Sequence, residues 1–138
     1  MVVTACVAAL ATAAAGATTS PVARPHVTNR CPTGALPLRQ SDLPALRRVG
    51  IALGLHGVRR SGNTVADYRG ARTRVTFPTF FTGYVRHVCA RAAAAKVAAR
   101  TADVTVTYPR ITWSASLHFS IFLVARTPHG LVGWAQMH

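Results

Sequence analysis

The sequence predicts an α+β fold, a helix packed on a curved antiparallel β-meander, and three observations carry that prediction. Leu43, Leu46, Val49 and Leu53 fall near helical spacing in the first half. From Ala102 onward the pattern changes to alternation of apolar and polar residues, the period of a half-buried strand. Thr127-Pro128-His129-Gly130 then supplies turn chemistry between two such stretches. With 138 residues, 50% of them hydrophobic, the chain has the length and apolar content for one domain with a real core, and a second independent domain would not fit.

Residues 1–17 form an uncharged stretch of Ala, Val, Leu, Thr and Cys ending in Ala15-Gly16-Ala17, a small-x-small pattern suited to signal peptidase. They read as a removable export signal that lacks the usual basic start. Two alternatives stay open: a lipidated Cys6 after Val3-Thr4-Ala5, and an alanine-rich buried helix of a cytoplasmic protein. Residues 18–40, with Pro21, Pro25, Pro32 and Pro37, read as an extended arm, mobile until Cys31 pins it. Cleavage after Ala17 leaves Cys31 and Cys89, an even pair suited to a disulfide in an oxidising compartment. Such a bond closes a loop worth roughly 3 to 4 kcal/mol on the chain-entropy model; two buried free thiols are the alternative.

A single domain is expected over residues 41–138. Ser41 serves as N-cap, Asp42 suits the first turn, Pro44 falls early enough to be tolerated, and Gly54 and Gly57 mark the helix exit. Arg59 to Ala71 reads as loop. Arg72 to Phe77 alternates as a strand ended by Pro78, and Tyr84 to Cys89 reads as a second short strand. Ala90 to Ala99 is helical by propensity, with sheet continuation as the alternative.

In the last third, Val104, Val106 and Tyr108 share one face of a strand while Asp103, Thr105 and Thr107 face solvent. After Pro109, Ile111, Trp113, Ala115, Leu117, Phe119, Ile121 and Leu123 alternate with Thr112, Ser114, Ser116, His118 and Ser120 until Phe122 and Val124 make both faces apolar. A strand this long must bend or bulge. Leu131 to Met137 returns as the last strand, with Trp134 and Gln136 facing away from Ala135 and Met137. A helix across three such strands suggests a cystatin-like or nuclear-transport-factor-like half-cone.

Tyr84-Val85-Arg86-His87, Cys89, Arg100-Thr101, Tyr108-Pro109-Arg110, Ser114-Ala115-Ser116-Leu117, Trp134 and His138 resemble a set of exported proteins of GC-rich bacteria. The resemblance covers roughly residues 84–138. It implies successive strands, and so favours sheet around Ala90 to Ala99, but it implies no activity.

Sixteen basic residues face three aspartates and no glutamate, giving a formal net charge of +13. Such a surface attracts nucleic acid, anionic lipid headgroups and acidic envelope polymers. Because fifteen of the sixteen are arginine in an alanine-rich chain, coding bias accounts for part of the charge. The basic residues never run longer than two, unlike a polybasic tail. Arg72, Arg74, Arg86 and Arg110 are the candidates for anion contact.

Three aspartates leave little room for mechanisms that need two carboxylates at one site. Six histidines are many, yet neither H-x-x-H nor C-x-x-C occurs, so no metal or other cofactor is expected. His87 beside Cys89 is a nucleophile-and-base arrangement that a disulfide removes. No G-x-S-x-G and no phosphate-cradling glycine loop is present. A pocket near His87, His118 and Trp134 is the candidate ligand site. Trp113 and Phe119 read as core, and Trp134 is the aromatic residue most available for contact. The expected function is that of a non-enzymatic exported domain associating with anionic envelope components; a ligand carrier or small enzyme at that pocket, and a nucleic-acid binder, are the alternatives.

Overall fold

The computed structural model describes residues 26–61, 69–110 and 118–138. Four strands, β1 (Arg72–Thr76), β2 (Thr101–Thr107), β3 (Phe119–Thr127) and β4 (Gly130–Met137), form an antiparallel sheet in that order. Helix α1 (Leu43–Ser61) precedes the sheet, and α2 (Thr82–Val88) and α3 (Arg91–Ala99) connect β1 to β2. This is the α+β arrangement of a helix on an antiparallel meander.

The strands carry apolar residues on both faces, and each face has its own core. Val104, Val106 and Tyr108 from β2 and its end join Phe122 and Val124 of β3 against Leu46 and Leu53 of α1. The opposite parity, Leu123 and Ala125 with Trp134 and Ala135 of β4, meets Val85, Cys89, Ala94, Val97 and Ala98 of α2 and α3. Alternation therefore predicts the α1 face correctly, but the face carrying Asp103 is also covered.

Helix α1 runs past both glycines expected to end it. Along its sheet-facing side, Gly50 and Gly54 bring the backbone close to β2. A Cβ at Gly50 would sit 2.4 Å from Val104 Cγ1, and one at Gly54 would meet the Tyr108 hydroxyl at 2.3 Å. These positions are glycine because the sheet occupies the space of a side chain. Ser41 is not the N-cap; a 3₁₀ turn at Gln40–Asp42 precedes α1, and the Arg39 N–H donates to Asp42 Oδ2 at 2.8 Å. Helix α1 also takes in Arg59–Ser61 from the expected loop.

Residues Tyr84 to Val88 are helical rather than extended, with Cys89 as the C-cap, because Val85 and Cys89, four apart, both enter the second core. Helix α3 matches the alanine-rich propensity reading and not the sheet alternative. The Phe77-Pro78 peptide is cis. The arm from His26 is built into the domain: Thr28 N–H donates to Gly133 O at 3.1 Å, Leu36 bridges Arg126, and Val27, Ala35 and Leu38 pack against the two cores. A disulfide joins Cys31 to Cys89 with their Cα atoms 5.1 Å apart.

The β3–β4 hairpin turns at Pro128 and His129, where Thr127 Oγ1 donates to Gly130 O at 3.0 Å and Gly130 takes φ 115°. Its pairing slips by one residue between Leu123↔Ala135 and Val124↔Gly133, leaving Trp134 as an extra residue in β4. That bulge puts Trp134 in the same core as Ala135, not on the opposite face. The expected strand from Ile111 is seen from Phe119 onward; its first part, with Trp113, Ser114 and Ser116, lies outside the described residues.

Candidate functional site

A groove of about 720 Å³ lies where α2, α3 and the connection from β1 meet. Its walls are Pro78, Thr79, Thr82 and Arg86 on one side and Arg91, Ala94, Ala95, Ala98 and Ala99 of α3 on the other. The helical period sets the composition of α3: Ala94 and Ala98 point into the core, while Ala95 and Ala99 are exposed toward the groove. Arg91 stands one turn before this apolar surface, and Arg86 reaches the groove from α2. Both arginines are exposed.

Beneath the groove the connection from β1 to α2 is fixed by a buried carboxylate. Asp103 is only 4% exposed, with its oxygens accepting the Thr79 hydroxyl and, at 2.9 Å, the Phe80 N–H. Thr79 Oγ1 also accepts the Phe81 N–H at 3.1 Å. Burial pushes the Asp103 carboxyl above the usual carboxylate range, opposed in part by the two hydrogen bonds. The expectation that Asp103 faces solvent is thus corrected: the α2–α3 crossing covers its side of β2. Held by this network, the segment presents Phe80 outward at 78% exposure, the one large hydrophobic residue so exposed among those described.

A second groove, about 590 Å³, runs between the arm and α3 beside Cys31. Lys96 and Arg100 line it, but Arg100 Nη1 is already committed to Ala35 O at 2.6 Å.

The residues expected to form a ligand pocket do not line either groove. His87 is exposed on α2. His118 precedes β3, its carbonyl accepting the Tyr108 N–H at 2.7 Å and its ring meeting Phe119 edge-on with centroids 4.9 Å apart. Trp134 is fully buried, its ring 5.9 Å from that of Tyr84, so it serves packing. Its Nε1 finds no hydrogen-bond acceptor among the described residues. Cys89 is held in the disulfide, and no cluster of three His, Cys, Asp or Glu suited to a metal occurs among the described residues.

Of the arginines expected to contact anions, all four are exposed. Arg72 and Arg74 share the sheet face of Thr105 and Thr107 by their pairing, Arg86 lines the groove, and Arg110 follows β2 in a turn. Arg91 and the Thr79–Asp103 pair were not expected at a site. A charge followed by paired alanines at i+3/i+4 and i+7/i+8 was the available signal for Arg91, and nothing local marks the second.

Fold and site define a small, basic, disulfide-linked α+β domain with an apolar groove rimmed by guanidinium groups. No family model, curated protein or solved structure matches the chain.

Proposed function

We propose that this chain is a non-enzymatic exported domain that associates with anionic cell-envelope components through its arginines. The observation that carries the reading is how the carboxylates are used. Asp42 accepts the Arg39 N–H and lies 3.6 Å from Arg126, and Asp103 is buried against Thr79 and Phe80. No Asp or Glu side chain is exposed among the described residues, whereas Arg30, Arg39, Arg47, Arg48, Arg69 and others are. The surface field is positive with almost nothing of opposite sign to screen it at short range. Export after a signal ending at Ala17 is supported by the disulfide, which oxidising compartments favour, and no described helix is long and apolar enough to cross a membrane.

The test is retention of the chain beginning at Thr18 on phosphocellulose as salt is raised. Retention should fall steeply, because each neutralised phosphate releases a counterion. Retention that ignores salt, or none at low salt, refutes the reading.

A further inference from the structure

We propose that the groove between α2 and α3 binds one acyl chain of an anionic phospholipid, with Arg86 and Arg91 receiving the headgroup phosphate. This rests on the anionic-partner reading above and names the partner. Three independent features agree. The cavity of about 720 Å³ lies within the roughly 300–1,000 Å³ typical of small-ligand sites. Its lining is apolar along Pro78, Ala95 and Ala99 and cationic at Arg86 and Arg91, with hydroxyls from Thr79 and Thr82, so one groove offers both kinds of surface that an anionic amphiphile needs. Arginine suits phosphate because its planar fork can donate two parallel hydrogen bonds to the oxygens. The third feature is Phe80, adjacent in sequence to the lining residue Thr79 and exposed at 78%. An exposed Phe side chain on a segment whose backbone is anchored to Asp103 suits insertion at the headgroup–acyl boundary of a bilayer. The buried Asp103 matters here too, since it holds the Phe80 backbone from behind Thr79 and does not itself line the groove.

The second groove offers one exposed ammonium, Lys96, in place of two guanidinium groups, because the Ala35 carbonyl takes Arg100.

Isothermal titration calorimetry with lysophosphatidylglycerol below its micelle concentration tests the site. Saturable binding of one lipid per chain is expected. The monoacylglycerol of the same chain length and glycerol 3-phosphate should each bind at least about tenfold more weakly, since each lacks one half of the contacts. Ala95→Trp, at an exposed position of α3, fills the groove and should abolish lysolipid binding without changing salt-dependent retention on phosphocellulose. Arg86→Ser/Arg91→Ser should weaken lysolipid binding about tenfold or more, whereas Arg47→Ser/Arg48→Ser, an equal loss of exposed charge on α1, should not. Phe80→Ser should lower partition onto phosphatidylglycerol vesicles. Lysolipid binding unaltered by Ala95→Trp, equal loss from the two arginine pairs, glycerol 3-phosphate binding as tightly as lysolipid, or vesicle partition indifferent to Phe80→Ser would each overturn the proposal. If lysolipid binding fails while phosphocellulose retention persists, the groove proposal falls and the broader anionic reading stands.

Discussion

Replacing Gly50 by alanine sets two known effects against each other, and the structure decides the sign. In a helix interior the substitution favours folding by about 1 kcal/mol through propensity. Against this, the new methyl would lie 2.4 Å from Val104 Cγ1 and 3.3 Å from Val106 Cγ2. Carbon atoms prefer about 3.5–4.0 Å, so the overlap exceeds an ångström. Val104 cannot give way: it is fully buried on β2, paired with Val75 on one side and Phe122 on the other, and its β-branched side chain has few rotamers. Helix α1 must lift from the sheet, loosening Leu46 and Leu53. Overpacking costs about 1–3 kcal/mol, and an overlap this deep against a side chain that cannot move falls in the upper half of that range, so after the propensity gain a net loss of about 1–2 kcal/mol is expected. Gly83→Ala in α2 is the control, because a Cβ there meets nothing within 4 Å; it should be neutral or stabilise by up to about 1 kcal/mol. Urea unfolding followed by far-ultraviolet circular dichroism, with a shared m-value, gives both differences. Val104→Ala in the Gly50→Ala background should cost less than in the wild type, a favourable coupling above about 0.5 kcal/mol. A Gly50→Ala variant as stable as wild type, or more so, would refute the close packing of α1 on β2.

The disulfide joins residues 58 apart, and the chain-entropy model gives about 4 kcal/mol; Cys31→Ser/Cys89→Ser should lose that much in urea unfolding, and the chain beginning at Thr18 should show neither thiol to a titrant without reductant. Asp103 titrates with the opposite sign from a salt-bridged aspartate. Because burial raises its pKa in the folded state, its contribution is fully present below the unfolded carboxylate pKa and is lost as pH rises through the folded value. Relative to Asp103→Asn, the wild type should therefore gain stability from pH 7 to pH 4, measured as the difference between their urea midpoints. A difference that moves the other way would mean that the Thr79 and Phe80 hydrogen bonds outweigh desolvation.

How much could be read in advance depended on whether a signal was local. Helix α3 and the β3–β4 turn were legible because propensity and turn chemistry act within a few residues. The four residues Tyr84, Val85, Val88 and Cys89 fit helical spacing, and the strand reading would have placed Arg86 and His87 on opposite faces, leaving neither clean. That conflict was the available evidence for α2. Gly54 was misread as a stop because a glycine at a close approach and a glycine at a helix end are the same letter. Strict alternation puts Trp134 on the wrong face, since a one-residue bulge inverts parity without any compositional mark. Asp103 looked solvated for a similar reason: a polar residue in an alternating strand is ambiguous until the element that crosses it is known. The groove combines Arg86, expected as an anion contact, with an α3 surface whose alanines were read only as helix formers.

Coding bias and selection predict different things about the arginines. If composition alone supplied the positive charge, the exposed arginines would be interchangeable, and any pair removed would reduce polyanion binding by a similar amount. Two structural facts bear on that interchangeability, one for it and one against. The exposed surface offers the described arginines almost no carboxylate, so any of them can contribute to long-range attraction. Only Arg86 and Arg91, however, line the larger groove, one from each of two helices held together by the core around Val85 and Val97. Long-range attraction depends on net charge and is screened by salt, while a headgroup contact depends on position and is strengthened by the excluded water of an occupied groove. Salt-dependent retention therefore reports the composition of the chain, and the contrast between the Arg86/Arg91 and Arg47/Arg48 pairs reports its architecture.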